Sequence, residues 1–258
     1  MGDVSLLFVA ACVAATVGAA LQSATGFGFA VVAAPVLFAS VRQERAIGLL
    51  LVLGIEIALL TLATERRRPQ PLVRPALVVL AWAAPAAVLG VVVLRALDAV
   101  TLQLAVTVGV AATLVVRRRA ARRAAVAAES GGERREPRWA APVTGLVAGA
   151  LTTATNTNGP PVLVYLLGRG AAPGPLRDTL TLCLLGFNAI GVLALVVTGT
   201  SRAVPTLTQV AVLVPLVLLG HIAGRPFFAR LAGSGRYEPV LTGVLVVAVG
   251  LGLVTTVV

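Results

Sequence analysis

The chain has 258 residues, of which 58% are hydrophobic and only 12% charged, and its mean hydropathy is +0.98. A water-soluble domain of this size carries about a quarter charged residues, so the composition excludes an ordinary soluble fold. The net charge of +11 comes from 21 arginines and no lysine, all placed in gaps between apolar blocks, which marks topogenic charge and not a nucleic-acid surface.

The apolar blocks run over 4–22, 25–40, 46–64, 72–94, 99–116, 139–154, 160–168, 179–198, 204–223 and 239–257. Most have the length of about 20 residues that a helix needs to cross a hydrocarbon core. The first block has no positive n-region and no clear cleavage site, so it reads as part of the mature chain. Cys12 and Cys183 lie inside apolar blocks, without metal-ligand or CxxC spacing, and read as packing residues. The stretch 117–138 is the longest polar segment, and its Ser130-Gly131-Gly132 cluster ends any helix that enters it. It divides the chain into an N-terminal membrane half, 1–116, a basic linker, 117–138, and a C-terminal membrane half, 139–258.

The halves repeat. Pro75, Pro85, Gly90 and Arg95 recur as Pro205, Pro215, Gly220 and Arg225, each 130 positions later, and Arg45 and Arg177 pair at nearly the same offset. A run of Pro, Pro, Gly and Arg in constant register is hard to obtain by chance, and paired repeats are a common construction of transporters. Two topologies compete. If 4–40 and 139–168 each cross once, the arginines divide 13 to 8 between the two sides; if each dips in and returns, 17 fall on one side and Arg42, Arg45, Arg95 and Arg202 on the other. Positive charge marks the cytoplasmic face, so the second arrangement is expected. The predicted fold is an all-α polytopic membrane protein of two inverted repeats. Each repeat is a broken, re-entrant helix pair plus three transmembrane helices, with basic loops cytoplasmic and both termini outside.

Two places interrupt the apolar pattern at matching positions. The first is Gln22-Ser23-Ala24-Thr25-Gly26-Phe27-Gly28; the second is Thr155-Asn156-Thr157-Asn158-Gly159-Pro160-Pro161. Ser23 or Thr25, and Thr157 or Asn158, are expected to cap the half-helices that follow, and Pro160 suits a first helical turn. Half-helix N-termini facing one another at mid-depth make an anion site without any basic side chain. Gln22, Ser23, Thr25, Gly26, Gly28, Thr155, Asn156, Thr157, Asn158, Gly159 and Pro160 are therefore the expected substrate-binding residues. The blander reading, a pair of kinks lined by small residues, leaves the amides and hydroxyls at both breaks without a role.

Thr25-Gly26-Phe27-Gly28 with Pro35 downstream, and Gly145 and Gly149 leading into Asn158-Gly159-Pro160-Pro161, resemble the paired motifs of the TauE/SafE sulfite exporter family. The resemblance covers nearly the whole chain. It implies a carrier of sulfite, thiosulfate, sulfoacetate or a related organosulfonate across the bacterial inner membrane. Where relatives carry richer glycine runs, this chain has Phe27 and Phe29 around Gly28, and Pro160-Pro161, which bears on pocket size. Glu56, the one acidic residue deep inside a block, and His221, the single histidine, are the proton-coupling candidates. Asn188 is the approximate counterpart of Glu56, and Gln103, Tyr165, Arg95 and Arg225 are weaker pathway candidates. Catalytic sets, metal clusters and phosphate-binding loops are missing from the pattern, so neither an enzyme nor a cofactor protein is expected. The expected partners are a small sulfur-containing anion, protons and the lipid bilayer, with no nucleic acid and with a homodimer left open. A passive anion channel, and more remotely a non-transporting scaffold, are the alternatives.

Overall fold

The computed structural model describes residues 2–65, 68–98, 100–102 and 139–233, with a few isolated positions besides. Among these residues the only regular structure is helical. In chain order the helices are α1 (Gly2–Thr25), α2 (Phe29–Ser40), α3 (Gln43–Ala63), α4 (Val73–Ala96), α5 (Ala140–Ala154), α6 (Gly159–Gly168), α7 (Pro173–Val197), a short 3-10 turn (Ser201–Ala203) and α8 (Leu207–Gly233). Among the described residues five stretches are long and apolar enough to cross a membrane: Leu6–Thr25, Gln43–Ala63, Val73–Ala96, Pro173–Val197 and Leu207–Phe227. The blocks 99–116 and 239–257, the linker 117–138 and Gln103 lie essentially outside the described residues.

The helices follow the apolar blocks closely. Two differ. α7 begins six residues before its block, because Pro173 and Pro175 sit in its first turn, where a missing N–H is harmless, and because Arg177, Asp178 and Thr179 are buried against neighbouring segments. α8 runs ten residues beyond its block, through Pro226.

The register of contacts fixes the direction of each helix. α1 and α2 form an antiparallel hairpin: Gly18 packs on the Phe29 backbone, and the Ser40 hydroxyl donates to the Leu7 carbonyl at 3.1 Å. α3 runs antiparallel to α7, with Gly54 against Asn188 and Leu51 against Gly191. It also runs antiparallel to α4, since Gln43 Nε2 donates at 2.9 Å to the carbonyls of both Leu94 and Leu97. α4 and α7 are parallel. Near their starts, the Gln70 N–H donates to Asp178 Oδ2 at 2.7 Å and the Leu72 N–H to Thr179 Oγ1 at 2.8 Å. At their ends, Arg95 Nη2 donates to the Thr198 carbonyl at 2.8 Å and to Thr200 Oγ1 at 2.6 Å.

Two parallel pairs complete the bundle. α5 lies along α4, with Gly145 on Val79, Gly149 on Ala83, and Thr153 Oγ1 donating to the Ala87 carbonyl at 2.6 Å. α8 lies along α1, with Gly220 on Thr16 and Gly224 on Ala20. In both pairs a proline-bearing helix supports the first arm of a hairpin, and small residues let the backbones touch. Because lipid tails are as apolar as leucine, this close van der Waals fit, and not burial from water, holds the helices together. Outward faces are apolar too: Leu6, Val9, Val13 and Val17 stand exposed at helical spacing along α1.

All these directions are mutually consistent and give the bundle two ends. Arg42, Arg45, Arg95 and Arg202 lie at the Ser201 end. Arg68, Arg74, Arg169, Arg177 and Arg225 lie at the Thr64 end. The α1–α2 hairpin enters from the Ser201 end. α5 starts beside the start of α4 and α6 hands over to the start of α7, so the second hairpin enters from the Thr64 end.

Candidate functional site

The first break follows Thr25, whose hydroxyl lies 2.8 Å from the Leu21 carbonyl and 2.7 Å from that of Phe27. Gly26 and Gly28 adopt φ of 90° and 115°, a region that only glycine enters freely. This reverses the chain between the two arms, and α2 then begins at Phe29.

The second break repeats this construction 130 positions later. Thr155 bonds back to the Leu151 carbonyl through its N–H at 2.9 Å and its hydroxyl at 3.3 Å. Asn156, the counterpart of Gly26, is the one described non-glycine residue with positive φ, at 55°. Asn158 Nδ2 donates to Thr152 Oγ1 at 2.9 Å and lies 3.4 Å from Asn156 Oδ1, while the Thr155 and Thr157 hydroxyls are 2.7 Å apart. α6 begins at Gly159, the counterpart of Phe29. The two breaks meet: a Cβ added to Gly159 would stand 3.4 Å from the Phe27 side chain.

The expected side-chain caps are not formed. The N-caps are Gly28 and Asn158, neither making a side-chain cap bond, because Thr25 is turned back into α1 and Asn158 is drawn to Thr152. Instead Gln22 Oε1, on the preceding helix, accepts the Phe29 N–H at 3.3 Å. At α6, Pro160 and Pro161 carry no N–H, so donors there come chiefly from the Asn and Thr side chains. Gln22, Ser23, Thr25, Gly26 and Gly28 line one break and Thr155, Asn156, Thr157, Asn158, Gly159 and Pro160 the other, and all are buried.

A cation from the polar stretch just before the block 179–198 lies against the first break. Arg177 is 2% exposed, and its side chain and backbone fill the space where a Cβ on Gly26 would sit. Its Nη2 donates to the Ser23 carbonyl at 2.9 Å, and its Nη1 forms an ion pair with Glu65. The breaks are therefore not free of basic side chains, whereas the half-helix argument alone expects an anion site without one. The 132-residue offset from Arg45 was the available signal; the charge at a block edge concealed it.

His221 is buried and joins the same corner. Its Nδ1 lies 2.8 Å from Ser23 Oγ and its Nε2 2.8 Å from Thr64 Oγ1, and Arg225 donates to the Thr64 carbonyl. Glu56 stands on α3 with Oε2 buried and without a hydrogen-bond partner; Asn188, on the facing helix α7, has Oδ1 in the same condition. Gly191, one turn past Asn188, packs on Leu51 and on Thr152 of the second hairpin. Arg169 lies over the Tyr165 ring, 5.7 Å from its centroid. Cys12 and Cys183 are free thiols packed among helices.

Two cavities open near the Ser201 end. One, of 340 Å³, lies between α3 and α7 and is lined by Leu51, Val52, Val192 and Val196 among others. The second, of 370 Å³, is lined by Glu44, Arg95, Gly199, Thr200, Ser201 and Arg202. Break residues line neither; the first break lies instead against Arg177 and, through Ser23 and His221, beside Thr64.

With this geometry in place, comparison with known proteins is decisive on one point: residues 10–253 match the family described as Sulfite exporter TauE/SafE. The chain belongs to that family. It is a multi-pass membrane transporter and not an enzyme, and the family's description names sulfite export as its activity. Neither a curated protein nor a solved structure matches it.

Proposed function

We propose that this TauE/SafE protein is a proton-coupled secondary transporter of a small sulfur-containing anion, sulfite, thiosulfate or an organosulfonate, in the bacterial inner membrane. The anion binds between the two hairpin breaks. The observation that carries this reading is the matched pair of breaks: left-handed residues at Gly26 and Asn156, helix starts at Phe29 and Gly159, and contact between Phe27 and Gly159. Asn156, Asn158, Thr155 and Thr157 supply neutral donors, and the first turn of α2 supplies backbone N–H groups. Irregular backbone at membrane depth is tolerated where it is buried in protein, as both breaks are.

The halves 1–116 and 139–258 act as inverted repeats joined by the linker 117–138. Support comes from hairpins that enter from opposite ends and from the antiparallel crossing of α3 and α7. Rocking of one repeat against the other exposes the buried breaks to each side in turn. Glu56 takes up the coupled proton. A buried carboxyl oxygen without a partner suits protonation, whereas both ring nitrogens of His221 are already engaged.

Anion flux in proteoliposomes tests the reading, with sulfite, thiosulfate and sulfoacetate and with an imposed pH gradient. Gradient-driven flux in wild type, abolished in a folded Asn158→Leu variant, is the expected result. Flux indifferent to the gradient would identify a passive pore, and no flux of any of the three would remove the sulfur assignment.

A further inference from the structure

Arginines near helix ends in membranes normally extend outward to the interface. Arg177, at the start of the second turn of α7, does the opposite and is buried against the first break. A buried guanidinium is tolerated only with good acceptors. Here it has the Ser23 carbonyl at 2.9 Å and the carboxylate of Glu65. Gly26 permits the approach, since any Cβ there would overlap the Arg177 side chain. The anchor of this cation is thus the polypeptide of the anion site itself.

Glu65 is differently held. It follows Thr64, the C-cap of α3, on the connection toward α4, and its side chain is 16% exposed against 3% for Arg177. The acid therefore approaches from the Thr64 end on a loop, while the base is fixed on a helix. A carboxylate presents the guanidinium fork with two oxygens, much as a sulfite or sulfonate group would. The other half is built differently. Arg45, 132 positions earlier, occupies the first turn of α3 with its Nε buried and without a hydrogen-bond partner, and the position equivalent to Glu65 is Val197.

We propose that the Arg177 guanidinium is an anion-binding group of the transport pathway and that Glu65 is a tethered competitor, displaced by the oxyanion of the substrate. The inference rests on the transporter reading. Glu65 keeps the cation compensated while the site is empty and leaves it when the substrate arrives from the breaks. The ligand class is a small oxyanion with two or three oxygens on one centre.

The test uses full-length protein in detergent, titrated with sulfite, thiosulfate and sulfoacetate while its melting temperature is followed, with flux measured in parallel. Glu65→Gln melts below wild type without anion, because the guanidinium loses its carboxylate. Added anion restores the loss, and half-saturation falls roughly tenfold, the scale of one charge-assisted hydrogen bond. Arg177→Lys keeps the charge but loses the fork, and binds more weakly than wild type. A Glu65→Gln protein that melts low at every anion concentration, with half-saturation unchanged or raised, overturns the proposal and leaves a structural ion pair. That result, with wild type still binding and transporting, spares the transporter reading; wild type and variant both indifferent to all three anions would remove both.

Discussion

At the scale of single residues, the breaks distinguish backbone need from side-chain chemistry. Asn156 has φ of 55°, where asparagine is the best tolerated residue after glycine. Asn156→Gly should keep the fold, and Asn156→Val should cost about 1–2 kcal/mol, because a β-branched side chain fits this left-handed region poorly. Thermal melts of the two variants check the backbone argument. Flux then isolates the amide: a well-folded Asn156→Gly protein without transport assigns the side chain to the anion, and normal flux removes it from the site. Glu56 invites a similar separation. Glu56→Gln preserves shape and removes the titrating proton, so the variant should still move anion down its own gradient while ignoring an imposed pH gradient. Retained acceleration by the gradient would end the case for Glu56 as the coupling residue.

At the scale of elements, tight helix pairs make the sign of a substitution predictable. Alanine is favoured over glycine within a helix by about 1 kcal/mol. At Gly168 nothing lies within 4 Å of the added methyl, so Gly168→Ala should be neutral or stabilising. At Gly220 the methyl meets the Thr16 carbonyl and Ala19, and overpacking of about 1–3 kcal/mol outweighs the propensity gain. Parallel melts of Gly220→Ala and Gly168→Ala should move in opposite directions, and equal shifts would contradict the α1–α8 packing. The same elements show what the sequence could reveal. Helix positions were legible because each is an apolar block bounded by Gly, Pro or Arg, and the breaks were legible because Thr, Asn and Gly are out of place among Leu and Val. The caps were not, since the acceptor for Phe29 comes from Gln22 on another helix. Arg177 was not, because a burying neighbour is a tertiary fact that a charge beside a block edge cannot announce. His221 gave no sign of its two hydroxyl partners, which lie 198 and 157 positions away.

At the scale of the whole molecule, the two topologies differ in where they put two arginines. α3 separates Arg42 from Arg68, and α7 separates Arg169 from Arg202, in either topology. If 4–40 and 139–168 each crossed once, Arg202 would share a face with Arg68. With two returning hairpins it shares a face with Arg42. The hydrogen bonds that Arg95 donates to Thr198 and Thr200, and that the Gln70 N–H donates to Asp178, hold the ends of α4 and α7 together and their starts together, a parallel arrangement that favours two returning hairpins. We propose, from the positive-inside rule applied to all 21 arginines, that the Thr64 end faces the cytoplasm. Single cysteines at these positions, in a background where Cys12 and Cys183 are alanine, make the test direct. A membrane-impermeant maleimide applied to intact spheroplasts should label Arg42→Cys and Arg202→Cys, and should reach Arg68→Cys and Arg169→Cys only after the membrane is opened. Labelling of Arg202→Cys together with Arg68→Cys would mean that the hairpins cross, and the paired-break site would lose the geometry on which it depends.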